Sequence, residues 1–311
     1  MERLVVKRFN GNNHHLTVLS PQILYGNHET FNPSFMHKYQ SMSLNSCGGL
    51  LSFDDFNGNI VLCNLTTQEL KHLPPSNVPR PPGITRTISH GSGFGYDLKS
   101  NDYKVITYML HYWEDEEGHY LDDTTKVELY SLGSNSWKEI QSPHSMNCPK
   151  SGSAFVNGSY YRMACLDSGV VVESFDFASE TLSSFPLPPN IEGSDSAFHL
   201  VKFDDSSLGA VGYERRSGAT KAFELWVWRE GKWGRVYGVA NLSHVERPLG
   251  LRNGRLLFLE RKMSDHLSHL VVYDWITKEL KKLEIYDYPG YMSISSYVES
   301  GFALPDSRPI N

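Results

Sequence analysis

Short apolar segments separated by polar turns run through the chain, and one strand-turn-strand pattern recurs five times. The copies are IVLCNLTTQELKHL from Ile60, VELYSLGSNSWKEI from Val127, VESFDFASETLSSF from Val172, FELWVWREGKWGRV from Phe223 and LVVYDWITKELKKL from Leu270. They begin 45 to 67 residues apart, near the period of about 40 to 50 residues of a β-propeller with four-stranded blades. The repeat therefore predicts one blade per copy.

Aligned without gaps, the five copies place equivalent residues in columns. One column holds Leu70, Trp137, Leu182, Trp233 and Leu280, and another holds Asn64, Ser131, Asp176, Val227 and Asp274. The tryptophans at 137, 226, 228, 233 and 275 fall in or beside these columns, so we expect them to pack inside blades. Asp176 and Asp274 precede turns, where such side chains bond nearby backbone amides.

The residues before each hairpin supply the rest of each blade. Several of these segments are two apolar runs broken by a turn signal such as KSND, NG or DDSS, which gives four strands per blade. The segments Leu4–Tyr25 and Ile294–Leu304 each contain strand-like runs. Their pairing would leave no open sheet edge. We therefore predict one all-β domain over residues 1–311, a β-propeller of six blades, or alternatively seven, that is closed by its terminal strands.

Composition and charge limit which kinds of partner and which cellular location are expected. The net charge is -6 and no basic stripe is visible, which argues against a nucleic-acid surface because phosphate binding needs clustered Lys and Arg. The sequence contains neither the apolar core of a secretory leader nor a long apolar run, so we expect no membrane contact and a cytoplasmic or nuclear location. Its four cysteines are scattered without metal-ligand spacing, and no metal or cofactor is expected.

Several of these segments carry a family resemblance. The order SCGGLLSF, GNIVLCNLTTQELKHLPP, GSGFGYDLKSNDYKVITYM and KVELYSLGSNSWKEI resembles the F-box-associated domain of plant F-box proteins, a kelch-like group that includes S-locus F-box proteins. The run GFGYDLKSNDYKV is its most specific piece, and LVVYDWITKELKKL resembles the usual last blade. The resemblance covers nearly the whole chain. Gly48 departs from the family, which commonly has asparagine before the following glycine.

The resemblance implies a non-catalytic function. It implies the substrate-recognition part of an SCF-type ubiquitin ligase, a monomeric domain that binds a target protein for ubiquitination. The F-box that would join it to a Skp adaptor and a cullin has no counterpart before Phe9. We expect a trimmed chain, a truncated gene product or a loss of direct ligase assembly. The target is not named by any motif, and an S-locus role stays open.

Propeller geometry predicts where a partner would bind. In a four-stranded meander, the loops between the second and third strands and the connections between blades lie at one rim, and these are the long, dissimilar ones here. Irregular loops on a rigid scaffold commonly carry binding function. The candidate partner-binding residues on this rim are Asp55, Phe56, Arg80, Arg86, Tyr112, Trp113, Glu114, Asp115, Glu116, Glu117, Tyr120, Arg215, Arg216 and Lys262.

Two other classes of function compete with this interpretation. A stand-alone interaction scaffold, or a competitor that occupies a target without delivering it, would keep the propeller and lack ligase assembly. A propeller enzyme such as a glycosidase would need two carboxylates about 5 to 10 Å apart, whereas the acidic residues here are concentrated in one segment, WEDEEGHYLDD. That run is also typical of a simple solvated loop. The sequence contains no GxSxG elbow or P-loop, so catalysis is not expected.

Overall fold

The computed structural model describes residues 2–9, 14–20, 28–31, 43–142, 152–166, 169–189, 196–214 and 220–310. The strands are β1 (Glu2–Phe9), β2 (His14–Leu19), β3 (His28–Phe31), β4 (Ser43–Cys47), β5 (Leu50–Asp54), β6 (Ile60–Asn64), β7 (Glu69–His72), β8 (Arg86–Asp97), β9 (Asp102–Glu114), β10 (Tyr120–Ser131), β11 (Ser136–Ile140), β12 (Ala154–Val156), β13 (Ser159–Leu166), β14 (Gly169–Asp176), β15 (Thr181–Pro186), β16 (Ser196–Lys202), β17 (Leu208–Glu214), β18 (Thr220–Arg229), β19 (Lys232–Ser243), β20 (Val245–Arg252), β21 (Leu256–Ser264), β22 (Leu267–Asp274), β23 (Leu280–Asp287), β24 (Ser293–Val298) and β25 (Arg308–Pro309). No helix occurs in these ranges.

These strands form the six sheets of a six-bladed β-propeller. Blades 1 to 5 are β4–β7, β8–β11, β12–β15, β16–β19 and β20–β23 in chain order. The terminal blade has the order β24-β1-β2-β3, so a C-terminal strand pairs with the N-terminal one. The predicted fold class, the count of six and the closure by terminal strands are confirmed. Blade 1 gains a fifth strand, β25, which pairs with β7 and was not predicted.

Two compact units divide the chain. One contains residues 34–150, 158–185 and 297–311, and the other contains 1–33, 151–157 and 186–296. In the first, apolar side chains of blades 1 and 2 pack together around Leu62, Phe94 and Tyr130, each less than 1% exposed. In the second, Phe223 and Leu257 pack with Trp275 in a core shared by blades 4 and 5.

The repeated hairpin owes its shape to a turn that recurs in blades 1, 2, 3 and 5. Its first residue is buried and its fourth has a positive φ of 49° to 61°. These pairs are Leu65 and Gln68, Leu132 and Asn135, Phe177 and Glu180, and Trp275 and Lys278. Asp176 Oδ1 accepts hydrogen bonds from the amides of Ala178 and Ser179 at 3.0 and 2.7 Å, and Asp274 does the same with Ile276 at 2.9 Å. The predicted turn role of both aspartates is confirmed.

Blade 4 departs from the gapless alignment. Its hairpin turns through only Glu230 and Gly231, because Arg229 pairs with Lys232. Trp228 therefore faces Trp233, as Tyr130 faces Trp137 in blade 2. The alignment had placed Trp226 at that position and is wrong there by the two residues missing from the turn. Trp228 and Trp233 still contact each other, with ring centroids 5.3 Å apart.

Residues 297–310 form a C-terminal strap across blade 1, within the first unit. Asn64 Nδ2 donates to the carbonyl oxygens of Ser300 and Phe302 at 3.0 and 2.8 Å, and Lys71 Nζ donates to Pro305 O at 3.0 Å. Leu304, 3% exposed, enters the core shared with blade 2. The strap thus covers an outer edge that would otherwise expose unpaired backbone groups.

Candidate partner-binding surface

The predicted site residues divide between the two units. Eleven of them lie in the first: the group from Tyr112 to Glu117 with Tyr120, the pair Asp55 and Phe56, and the two arginines Arg80 and Arg86. Lys262 lies on β21 in the second unit, where its Nζ is 2.8 Å from Asp265 Oδ1. Arg215 and Arg216 lie outside the described residues. The surface built below therefore consists of the first eleven.

The acidic segment is a β-hairpin rather than the long irregular loop expected from the sequence. Strand β9 continues to Glu114 and β10 begins at Tyr120, so only residues 115–119 form the turn. Tyr112 pairs with Asp123 and Trp113 with Asp122. The alternating apolar residues that identify a strand are missing from YLDD, but cross-strand pairing extends the sheet regardless. We call residues 112–123 the acidic hairpin.

Asp115 closes the turn of the acidic hairpin. Its Oδ1 accepts hydrogen bonds from the amides of Glu117 and His119 at 3.0 and 2.8 Å, and its Oδ2 lies 3.0 Å from His119 Nδ1. The hydrogen bond from the His119 amide, with smaller contributions from the others, lowers the pKa of Asp115. The carboxylate is thus occupied within the turn. Asp115 shapes the surface, and Glu116 and Glu117 beside it remain exposed.

The tip of the acidic hairpin exposes two large side chains. Tyr120 is 60% exposed and Leu121 is 62% exposed. A β-bulge at Leu121 shifts the register between the Tyr120 and Asp122 pairs, and bulges of this kind re-aim side chains. The Tyr120 hydroxyl donates to Asp123 Oδ2 at 2.8 Å, and its ring meets Tyr112 edge-on with centroids 6.3 Å apart. Tyrosine is among the residues that most often anchor protein interfaces, so Tyr120 can enter a partner's pocket.

The acidic hairpin carries a high density of negative charge. Residues 114–123 include six carboxylates and no Lys or Arg. Within the described ranges, none of the six forms an ion pair with Lys or Arg; the nearest basic atom is His119 Nδ1, which lies 3.0 Å from Asp115 Oδ2 and 3.6 Å from Glu117 Oε2. An uncompensated charge of one sign steers oppositely charged partners and accelerates their association.

The connection between blades 1 and 2 fixes the base of the hairpin. The indole Nε1 of Trp113 donates to Pro82 O at 3.1 Å, the Thr85 amide donates to Tyr112 O at 2.9 Å, and the Glu114 amide donates to Thr85 Oγ1 at 3.0 Å. The base of the hairpin is therefore held by the Trp113 indole and by the backbone groups of Tyr112 and Glu114. Sequence reasoning did not find Pro82 and Thr85; the paired prolines of VPRPPGIT were the available signal.

The other predicted residues of this unit have mixed roles. Asp55 is buried and accepts the amides of Asn57 and Asn59, each at 2.9 Å, so it closes its own loop. Phe56 is 43% exposed, and its carbonyl oxygen accepts the Ser89 amide at 2.8 Å, which ties the loop to blade 2. Phe56 is thus partly exposed at the surface, whereas Asp55 has a structural role.

The two arginines differ in the same way. Arg80 Nη1 lies 3.2 Å from Glu128 Oε1, a carboxylate that is 1% exposed. Burial raises the pKa of Glu128, and a Ser76 hydrogen bond and the Arg80 charge oppose this rise. Arg86 is exposed at the start of β8 and pairs in register with Tyr112. Arg86 is therefore the cation nearest in register to the hairpin base.

Clusters of metal-binding side chains are absent from the described ranges. No group of three or more His, Cys, Asp or Glu there has a geometry that could hold a metal ion. His111 has its pKa lowered to about 4, chiefly by burial, and Thr87 Oγ1 lies 2.8 Å from its Nδ1. Across the described part of the chain, there is no helix long and apolar enough to cross a membrane. What the surface offers is exposed aromatic, aliphatic and acidic groups on a fixed hairpin.

The six sheets and the recurring hairpin define the class of β-propeller domains. Residues 6–236 match the family model of the F-box associated beta propeller domain. The chain therefore belongs to this family, and the resemblance inferred from the sequence motifs is confirmed.

Similar proteins agree with this assignment. F-box protein CPR1 of Arabidopsis thaliana is 31% identical over 97 residues, which is 31% of this chain and 24% of that protein. Another Arabidopsis thaliana protein with an F-box name is 24% identical over 70% of this chain and 54% of its own length. The chain thus spans about half or less of the length of these curated relatives.

Solved structures share the fold at low sequence identity. TolB from Acinetobacter baumannii matches with a TM-score of 0.57 at 10% identity, over 95% of this chain and 66% of that one. A chain of a nidogen/laminin complex matches with a TM-score of 0.52 at 10% identity, over 96% of this chain and 100% of that one. These likenesses concern the fold alone.

Proposed function

We propose that this domain recognises a target protein on behalf of an SCF-type ubiquitin ligase, with the acidic hairpin and Phe56 as the recognition surface. The observation that carries the proposal is the family match over residues 6–236, supported by relatives that are named F-box proteins. Binding rather than catalysis is proposed, in the cytoplasm or nucleus. A Skp adaptor and a cullin would join through an F-box supplied with the domain.

The hairpin is the strongest candidate surface because rigidity, apolar anchors and charge coincide there. Its base is hydrogen bonded to the blade 1–2 connection, which reduces the conformational entropy that would be lost on binding. Tyr120 and Leu121 offer apolar area, and the carboxylates around them select a basic partner surface. The arrangement therefore favours a protein partner with an apolar side chain beside Lys or Arg.

The test joins an F-box to the N-terminus of the chain and expresses it in plant cells with and without a surface substitution. The surface variant is Glu114→Lys, Glu116→Lys and Glu117→Lys, which spares the turn carboxylate Asp115. A matched control reverses three exposed acids in the other unit, Asp205, Glu279 and Glu284. Captured proteins are quantified by mass spectrometry, and their half-lives are followed after translation is stopped.

We expect the chain joined to an F-box to recover Skp and cullin. We also expect at least one protein that is captured by the natural chain and the control variant but not by the surface variant. The half-life of that protein should be shorter when the natural chain is joined to the F-box. A protein that is captured both with and without the F-box, and whose half-life stays unchanged, would favour the competitor function instead. Equal capture by the surface variant, with its fold intact, would remove the hairpin from the recognition surface.

A further inference from the structure

The connection between blades 1 and 2 lies on blade 2 as a bound peptide would. Residues 74–85, PPSNVPRPPGIT, contain no strand. Burial alternates along the first part: Pro75, Asn77 and Pro79 are exposed, whereas Val78 is 6% exposed. Proline-rich segments of this kind favour an extended helix with a solvated backbone. We call these residues the linker.

Two indoles hold the linker near its ends. Trp137 Nε1, on β11, donates to Pro74 O at 2.8 Å. Trp113 Nε1, on β9, donates to Pro82 O at 3.1 Å. Indole nitrogens are donors only, and proline residues offer carbonyl oxygens without competing amides. Aromatic side chains that bind proline-rich segments use this same complementarity.

A buried carboxylate holds the middle of the linker. Arg80 Nη1 lies 3.2 Å from Glu128 Oε1. The carboxylate is 1% exposed, and the Ser76 hydroxyl and the Arg80 charge, both from the linker, favour its charged form against the effect of burial. A buried carboxylate is costly unless a cation accompanies it. This position therefore favours a cationic side chain from the linker, which Arg80 supplies.

The connection before blade 4 shows which contacts of the linker recur between blades and which, of these two connections, occur in the linker alone. Trp233 Nε1 donates to Pro186 O at 2.8 Å, just as Trp137 does to Pro74. That contact recurs and thus belongs to the way blades are joined. The Arg80–Glu128 pair and the Trp113 contact distinguish the linker.

We propose that Trp113, Glu128 and Trp137 form a binding site for proline-rich segments that contain an arginine, and that residues 74–85 fill this site within the chain. The linker site is separate from target recognition by the hairpin tip. It is nevertheless coupled to it, because Trp113 and the residues bonded to Thr85 form the hairpin base. A segment that displaces the linker releases these contacts and loosens the hairpin.

The linker is covalently attached beside its site, and this attachment determines how tightly a free peptide can compete with it. A segment joined to its site by a short connection competes at an effective concentration on the order of mM. A free peptide of the same sequence therefore binds the natural chain weakly. When the chain's own linker no longer fits the site, the same peptide binds with the full affinity of the site.

The experiment uses the full chain in two forms. The linker variant replaces residues 75–83 with glycine and serine at unchanged length, and the probe is a fluorescently labelled synthetic peptide of sequence PPSNVPRPPGIT. We expect anisotropy to detect binding to the linker variant at least about tenfold tighter than to the natural chain. A peptide with glutamate in place of its arginine should lose most of this binding. A folded linker variant that binds neither peptide, or both equally, would overturn the proposal.

Should the linker variant fail to fold, Arg80→Gln in the otherwise natural chain supplies the second measurement. Losing the pair with Glu128 should free the linker, so hydrogen exchange at the Thr85 and Glu114 amides should accelerate by at least about tenfold. The probe peptide should then bind more tightly than it binds the natural chain. Unchanged exchange and unchanged peptide binding would overturn the proposal in that form.

Discussion

Asp287 offers the sharpest test of how the terminal blade is fastened. It ends β23, is 3% exposed, and its Oδ1 accepts the amides of Phe9 and Tyr288 at 2.8 and 2.7 Å. Burial, with a smaller contribution from the Glu260 carboxylate, raises the pKa of Asp287 to about 7, although the two amides and Arg8 act in the opposite direction. The proposed perturbation is Asp287→Asn, which keeps an acceptor oxygen and removes the ionisation.

The sign and size follow from proton linkage. Because the folded-state pKa lies above the unfolded one, the folded protein binds the proton more tightly. The stabilisation is complete below about pH 4 and is lost as the pH rises through about 7. A rise of about 3 units corresponds to at most about 4 kcal/mol, from 1.36 kcal/mol per unit. The neutral asparagine avoids this loss.

Chemical denaturation at several pH values measures the effect. The quantity is the difference in free energy of unfolding between Asp287→Asn and the natural chain, which cancels titrations common to both, such as those of the buried histidines. The variant should gain stability relative to the natural chain by at most about 4 kcal/mol between about pH 4 and pH 8. Asp205→Asn, on a side chain 98% exposed, should show no such trend. A difference that is constant across this range would show that the pKa of Asp287 is not raised in the folded protein.

Three further changes test the packing. Gly93→Ala would place a Cβ 2.4 Å from the ring of Tyr160, so it should cost about 1 to 3 kcal/mol in urea denaturation; an unchanged midpoint would contradict this contact. Leu304→Ala should cost about 2 to 5 kcal/mol because the side chain is 3% exposed, whereas Leu98→Ala, 84% exposed, should cost almost nothing. Trp233→Phe keeps an aromatic ring but removes the indole N–H and part of the packed ring surface, and should lower stability by at least about 0.5 to 1.5 kcal/mol; equal stability would deny the hydrogen bond any role.

The fold could be predicted because four of the five repeated hairpins have a buried residue at the start of the turn. Leu65, Leu132, Phe177 and Trp275 each begin the turn with a buried side chain, so the pattern is visible in every one of these copies. Blade 4 was misaligned because Glu230 and Gly231 make a shorter turn with the same flanking aromatics. The strap was missed since its two-residue strand, Arg308–Pro309, carries no apolar alternation.

The candidate surface was predicted less completely. Its charge and aromatics were visible in WEDEEGHYLDD, but its strands were not, because pairing rather than apolar alternation extends them. Asp55 and Asp115 were grouped with binding residues, whereas both accept local amides. The role of Arg80 depends on Glu128, which lies 48 positions away in the chain. Such long-range pairs have no local sequence signal.

In the proposed function, this domain selects a target through the acidic hairpin for ubiquitin transfer. The most direct measurement is the half-life of captured proteins in plant cells that express the chain joined to an F-box, compared between the natural hairpin and the Glu114→Lys, Glu116→Lys, Glu117→Lys variant. At least one captured protein should decay faster in cells that express the natural hairpin, and in cells that express the variant it should decay at the same rate as in cells that express neither chain. Identical half-lives in both, with both proteins folded and bound to Skp, would contradict it.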